Sequence, residues 1–355
     1  MGALLLFVLI ISGGSAALRD HALRLAGGLY FAALAVYVIA LALLHEIVQL
    51  PLAFYQGVTL ERRYELSTQT TAGWWKDHLK AAGVSLVFAL IGSAIIVSLM
   101  RWSPERWWIA AAVSFAAILV LLAQLAPVLL LPLFYDFKPL DRAALVQRLL
   151  ALADRAETRV MGVFEWRLSD RTKKANAALT GIGHTRRILL SDTLLSEHSD
   201  DEIEVILAHE LAHHVHRDIW SGIALETVLI VLGFFVADRV LLAFGTSFGL
   251  AGKSDIAALP LVVLTIAAVS LVLMPAANAF SRAHERRADR YALRMTGNVS
   301  AFVTAMKRLA AQNLAEEQPS RFVEVVFHSH PSTTARIAAA QKWAADRARA
   351  GAAHG

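Results

Sequence analysis

His209 and His213, in the segment AHELAHHVHRD (208–218), are four residues apart and can do metal chemistry. That spacing puts both side chains on one face of a helix, about one turn apart. Two imidazoles so placed can share one tetrahedral zinc ion, and Glu210, next to the first, can serve as base toward a water on that ion. The five-residue HExxH pattern also arises by chance, as a charged helix with surface histidines, so a third ligand decides between the readings. The extended form HExxHxxGxxH fails, because His216 and Ile219 occupy its glycine and last histidine positions. Downstream, SRAHERRADRYA (281–292) offers Glu285 and Asp289, again four apart. Glu285 can be the third ligand, and Asp289 can hold a ligating histidine through its other ring nitrogen. The plain alternative is a solvated helix of Arg–Glu pairs. The chain has no cysteine, so any metal must be held by His, Asp or Glu. His214, His216 and His284 fall off the shared face and are expected on the surface or behind the ligands.

The elements that position these residues are mostly membrane helices. The 355 residues are 57% hydrophobic and 18% charged, with mean hydropathy +0.52, against about half apolar and a quarter charged in soluble chains. A crossing helix takes about 20 mainly apolar residues, and 28–50, 82–100, 108–132, 220–241 and 257–280 meet that length. The stretch 2–18 reads as a retained first span, with a signal segment as the alternative. The organisation that follows has membrane helices over 1–133 with a polar loop at 55–81. A catalytic block follows at 134–219, two spans at 220–280 and a C-terminal catalytic segment at 281–355. The fold class is mainly α and polytopic, a helix bundle carrying a small α+β domain. In that domain 138–157 reads as an amphipathic helix, and 160–166 and 186–195 as strands. A turn at 180–183 completes a small antiparallel sheet. Ser199 and Glu202 have capping-box spacing.

Arg62, Arg63, Lys76, Lys80, Arg282, Arg286 and Arg287 lie on the side of the polar block, and Arg19, Arg24, Arg101, Arg106 and Lys253 on the other. The positive-inside bias puts the catalytic side in the cytoplasm. The net charge of +5 comes without a basic patch interleaved with aromatics, so no nucleic-acid partner is expected. The polar residues His45, Glu46, Gln124 and Glu226 within spans read either as cavity lining or as helix-end and interhelical hydrogen bonding.

The pairing of HELAH (209–213) with SRAHERRADRYA resembles the type-I CAAX prenyl endopeptidases, integral-membrane zinc proteases. The likeness extends to RRYELSTQTTAGWWKDHLK (62–80), LPLFYDFKPL (131–140), KKANAALTGIGHTRRILLSDTLL (173–195) and HSHPSTTARI (328–337). Together these cover most of the chain from about residue 50. Ala212 departs from the family's usual glycine, and five or six spans depart from its seven.

The resemblance implies a gluzincin-like catalytic domain with one zinc ion per chain on His209, His213 and Glu285, and Glu210 as general base. It further implies His330 as donor to the oxyanion, and Asn176 and Ala177 on an edge strand that binds extended peptide. Arg336 would position the loop that carries His330 or a substrate carboxylate. The expected partners are the bilayer and a peptide or protein substrate, lipidated or membrane-associated. The expected location is a bacterial inner membrane or an ER-type membrane, according to source. A quality-control protease of the heat-shock type keeps the chemistry but changes the substrate. A signalling receptor with a peptidase domain is disfavoured by the short outer loops.

Overall fold

Inside a bilayer no water is available to backbone polar groups, and a helix satisfies them within a single segment. The computed structural model describes residues 1–181, 186–316 and 318–352. Helices α1 (Gly2–Ile11), α2 (Gly14–Leu25), α3 (Tyr30–Phe54), α4 (Thr71–Trp102) and α5 (Trp107–Leu129) come first. Strand β1 (Phe137–Pro139), helix α6 (Ala143–Arg155) and strands β2 (Val163–Trp166), β3 (Ala177–Thr180) and β4 (Arg187–Ser191) follow. Further along come α7 (Asp192–Glu197), α8 (Asp200–Val215), α9 (Asp218–Phe244), α10 (Leu259–Thr296), α11 (Val299–Gln312), α12 (Arg321–Phe327) and α13 (Thr333–Ala352), with shorter helical turns between elements.

Among the described residues, five helical stretches are long and apolar enough to cross a membrane: Tyr30–Arg63, Thr71–Trp102, Trp107–Leu129, Asp218–Phe244 and Ile256–Thr296. Each overlaps one of the five spans expected from hydropathy, except that 28–50 starts later, at Tyr30, and 108–132 ends sooner, at Leu129. The expected first span is instead a broken pair. α1 and α2 bend by 82° at Ser12–Gly13, where Gly13 adopts φ +71°, a conformation glycine takes without steric cost.

The chain divides into two compact units, each discontinuous in sequence. The first comprises Met1–Glu61, Thr70–Val120 and Ile223–Leu273. Its core gathers Tyr37, Val97, Met100, Trp107, Ala237 and Val262. Polar groups inside it are paired. Asp238, fully buried, accepts from Trp107 Nε1 and Lys253 Nζ, each at 2.7 Å. Glu46 pairs with His78 Nε2 at 2.5 Å, and Trp74 stacks on that imidazole. Interhelical pairing is therefore what Glu46 does.

The second unit comprises Arg62–Gln69, Leu121–Gly222 and Met274–Gly355. It carries a four-stranded sheet in the order β1-β2-β4-β3. The sheet is mixed rather than antiparallel throughout: β1/β2 and β3/β4 are antiparallel, while β2 and β4 run parallel. β4 lies inside, antiparallel to β3 and parallel to β2. The sequence of β4, RILLS, suits that central place, because four of its five residues are buried and a strand covered on both faces reads as a continuous apolar run. The expected strand at 186–195 stops at Ser191, whose hydroxyl accepts from Leu194 N–H and starts α7. The expected turn at 180–183 falls partly outside the described residues.

Leu145, Leu149 and Leu152 recur at helical spacing on α6. They join Ile188 and Leu190 of β4, Ile203, Leu207 and Leu211 of α8, and Phe302 of α11 in one core. Burying each such side chain stabilises the fold by roughly 2 kcal/mol. α8 starts at the expected capping box: Ser199 N–H donates to Glu202 Oε2 at 2.8 Å, and Ser199 Oγ accepts from Glu202 N–H. Three acids in its first turn complement the helix dipole. α8 is held on several sides, and it carries the histidines.

Candidate metal centre

His209 and His213 project from α8, and Glu285 from α10. His209 Nε2 lies 3.3 Å from His213 Nε2 and 3.3 Å from Glu285 Oε2, and His213 Nε2 lies 3.5 Å from Glu285 Oε1. Ligand distances near 2.0–2.1 Å at tetrahedral angles put donor atoms about 3.3–3.4 Å apart; the two Nε2 atoms meet that spacing, and with one Glu285 oxygen they lie within 4.8 Å of one another, a group that could hold a metal ion. His209 and Glu285 are both buried. Glu285 Oε2 is also buried and makes no hydrogen bond among the described residues, although imidazole nitrogens stand 3.0 and 3.3 Å away. Those nitrogens belong to His209 and His330, so the Oε2 lone pairs face the cluster rather than solvent.

Each histidine is held through its outer nitrogen. Asp289 Oδ1 is 2.9 Å from His209 Nδ1. Asp218 Oδ2 is 2.9 Å from His213 Nδ1. Accepting from Nδ1–H leaves the Nε2 lone pair for a metal and fixes the ring. Asp289 is itself gripped by Arg336, whose Nε donates to Oδ2 at 2.8 Å and Nη2 to Oδ1 at 2.5 Å. Asp218 pairs through Oδ1 with Arg287.

Burial acts to lower the His209 imidazole, but the carboxylates of Asp289 and Glu285 outweigh it and raise the group to about 9. A proton and a metal ion thus compete for the same nitrogen. Burial pushes the Glu210 carboxyl up, against the opposing influence of His209 and His213. A carboxylate moved toward neutral pH is a better proton acceptor for catalysis.

The sequence-derived residues come together unevenly. His209, His213, Glu285 and Asp289 form one cluster, and His330 joins it with Nδ1 3.0 Å from Glu285 Oε2 and its side chain 62% exposed. Arg336 also joins, its guanidinium donating to both oxygens of Asp289. Asn176 and Ala177 lie at the start of β3, the outer strand, yet they differ. The Asn176 backbone turns inward to Ser191, so only Ala177 offers backbone groups outward. Of the other histidines, His214 Nε2 sits 3.1 Å from Leu179 O and His284 Nδ1 3.9 Å from Asp218 Oδ1. His216 Nδ1 contacts Ala212 O at 2.7 Å.

Asp218 escaped the sequence reading. It stands five residues after His213, off the helical face. α8 ends at Val215, and Arg217 takes φ +57°, which is uncommon for a residue with a side chain. That turn brings Asp218 back to His213 and starts α9. No glycine or proline marks the break, so only the local acid, five residues past the motif, could have signalled it.

Comparison with known proteins bears on this geometry. The profile of Peptidase family M48 matches residues 139–344. That described as CAAX prenyl protease N-terminal, five membrane helices, matches residues 1–136. The uncharacterized metalloprotease YhfN of Bacillus subtilis is 34% identical over 342 residues, covering 95% of this chain and 80% of that protein. CAAX prenyl protease 1 of Saccharomyces cerevisiae is 25% identical over 320 residues, covering 84% of this chain and 70% of that one. The crystal structure of S. mikatae Ste24p superposes with a TM-score of 0.86 at 23% identity, covering 94% of this chain and 82% of that chain. At that identity the likeness is one of fold: a mainly helical membrane protein with a small sheet-bearing domain.

Proposed function

The chain belongs to peptidase family M48, and on that premise we propose that it cleaves peptide bonds with one zinc ion held by His209, His213 and Glu285. It is an integral-membrane metalloendopeptidase related to the CAAX prenyl proteases. The observation that supports the zinc assignment is the convergence of His209, His213 and Glu285, which bring one ligand atom each within 4.8 Å of one another. When bound, zinc supplies Lewis acidity that brings a coordinated water's pKa from about 16 to near 7.

The chain's own residues do the rest. Asp289 and Asp218 keep the Nε2 atoms of His209 and His213 aimed inward. Glu210 takes a proton from the attacking water and passes it to the leaving amine, a role typically worth about 10²–10⁴ in rate. His330 donates to the carbonyl oxygen as negative charge develops there. Ala177 offers its N–H and C=O to an extended substrate backbone. Asn176, exposed beside it, presents its side-chain amide to the same chain.

The substrate is a membrane-associated or lipidated peptide, and the bias of basic residues supports a cytoplasmic catalytic side. The match of residues 1–136 to the CAAX prenyl protease N-terminal profile favours this over the quality-control reading. Glu210→Gln in purified, reconstituted protein tests the assignment. One zinc per chain should remain while cleavage of casein and of prenylated peptides falls about 10²–10⁴-fold. Cleavage at the wild-type rate by Glu210→Gln, or none by the zinc-loaded wild type, would reject it.

A further inference from the structure

β3 is the outer strand of the sheet, and its outward backbone groups are unevenly available. In an antiparallel pair, alternate residues face the neighbour and the open side. Ser191 N–H donates to Asn176 O at 2.9 Å, and Asn176 N–H donates to Ser191 Oγ at 2.9 Å. With the register Ala178↔Leu189 and Leu179↔Ile188, Asn176 and Ala178 therefore face β4, while Ala175, Ala177 and Leu179 face outward. Ile188 agrees, since its N–H donates the other way, to Gly162 O at 3.1 Å.

Two of these three outward positions are closed by side chains. Asn313, the residue after α11, accepts from Ala175 N–H at 3.0 Å through Oδ1 and donates from Nδ2 to Ala175 O at 3.4 Å. This is the exchange of donor and acceptor that a neighbouring strand residue would make. His214, beside the ligand His213 on α8, holds Leu179 O at 3.1 Å through Nε2. Among the described residues, the N–H and C=O of Ala177 have no partner. Asn313 also lines a cavity of about 570 Å³ that His330, Arg336, Leu309 and Phe327 share. The side chain that closes Ala175 thus belongs to that cavity's wall.

We propose that the edge strand admits a single residue of an extended peptide, at Ala177, and that Asn313 and His214 are specificity-determining stops against further strand pairing. The peptide beyond Asn313 leaves the strand and enters the cavity. Strand addition elsewhere joins a run of alternate residues; here the run is cut to one. The inference rests on the endopeptidase reading above. It limits substrates to chains that need only one paired residue on the strand and can bend away on the Asn313 side.

The test is a backbone scan. A decapeptide chosen from the casein fragments that wild type releases is remade with a single amide-to-ester replacement at each non-scissile position. Losing one backbone donor at a paired position costs up to about ten-fold in kcat/KM. In wild type one position should be sensitive, while those two residues to either side change less than about two-fold. In Asn313→Ala, a second sensitive position should appear two residues from the first. A merely structural role for Asn313 would lower all peptides alike and create no new position. Two sensitive positions two residues apart in wild type would overturn the inference even if Asn313→Ala does not fold. So would a folded Asn313→Ala with no second position. A wild type that cleaves no peptide would instead overturn the peptidase reading, and this inference with it.

Discussion

Asp289 Oδ1 lies 2.9 Å from His209 Nδ1, one helical turn beyond Glu285 on α10. A single helix thus supplies a metal ligand and the anchor of another ligand, and Arg336 pins that anchor with two hydrogen bonds. Asp218 does the same for His213 from the start of α9. Loss of such an outer partner typically weakens metal binding 10–100-fold. Asp289→Ala and Asp218→Ala should each lower zinc affinity by about that factor, as read by competition with a chelator of known affinity. Asp289→Asn should lose less, since its amide oxygen still accepts from Nδ1. Wild-type affinity in both alanine variants would remove the anchoring role.

His330 touches Glu285 Oε2 yet stays 62% exposed, the placement of a group that meets substrate rather than one that builds the core. His330→Ala should lower kcat about 10²–10³-fold, with zinc content unchanged and KM little affected. A change confined to KM would make it a binding residue instead.

The stability of the catalytic unit rests on α8 and its packing. Leu149 is fully buried against that helix, and Leu149→Ala should cost about 2–5 kcal/mol. Ser199→Ala breaks the capping box and should cost about 1 kcal/mol. Denaturant unfolding in detergent measures both. Equal losses in the two variants would contradict the difference between a core cavity and a helix end.

His198, at the turn into α8, is 5% exposed, and neither ring nitrogen has a hydrogen-bond partner among the described residues. Burial lowers its pKa, against the pull of Glu202. The folded protein therefore binds fewer protons here than the unfolded chain. Stability is complete above the unfolded value near 6.5 and declines as pH falls toward the lower folded value. Melting temperature against pH should show this fall in wild type, and His198→Gln should flatten it between about pH 7 and 5.5. Asp192 acts lower down. Burial opposes its charge, but Ser169 Oγ–H and the N–H groups of Leu168, Ser169 and Thr193 prevail and hold its pKa below the usual value. That contribution is present above about pH 4 and is lost on further acidification. An acid limb unchanged in His198→Gln would assign the decline elsewhere.

The sequence carried the ligands because helical spacing is a local property: His209 with His213 and Glu285 with Asp289 are each four apart. The spans were legible because hydrocarbon demands long apolar runs. The polarity of the sheet was not. Whether β4 runs with or against β2 depends on the path of the chain between them, and strands of four and five residues do not encode that. Asp218 was missed because a left-handed Arg217 reverses the chain without a glycine. The stops at Ala175 and Leu179 join residues 138 and 35 positions apart, which no local pattern reports.

The central claim is that His209, His213 and Glu285 hold one zinc ion. X-ray absorption on the purified protein, with zinc counted in the same samples, tests it most directly. Wild type and Glu210→Gln should each hold one zinc per chain in a shell of two imidazole nitrogens and two oxygens at about 2.0–2.1 Å. Glu285→Ala should lose the ion or one oxygen from that shell. A full wild-type zinc shell in Glu285→Ala would contradict the account.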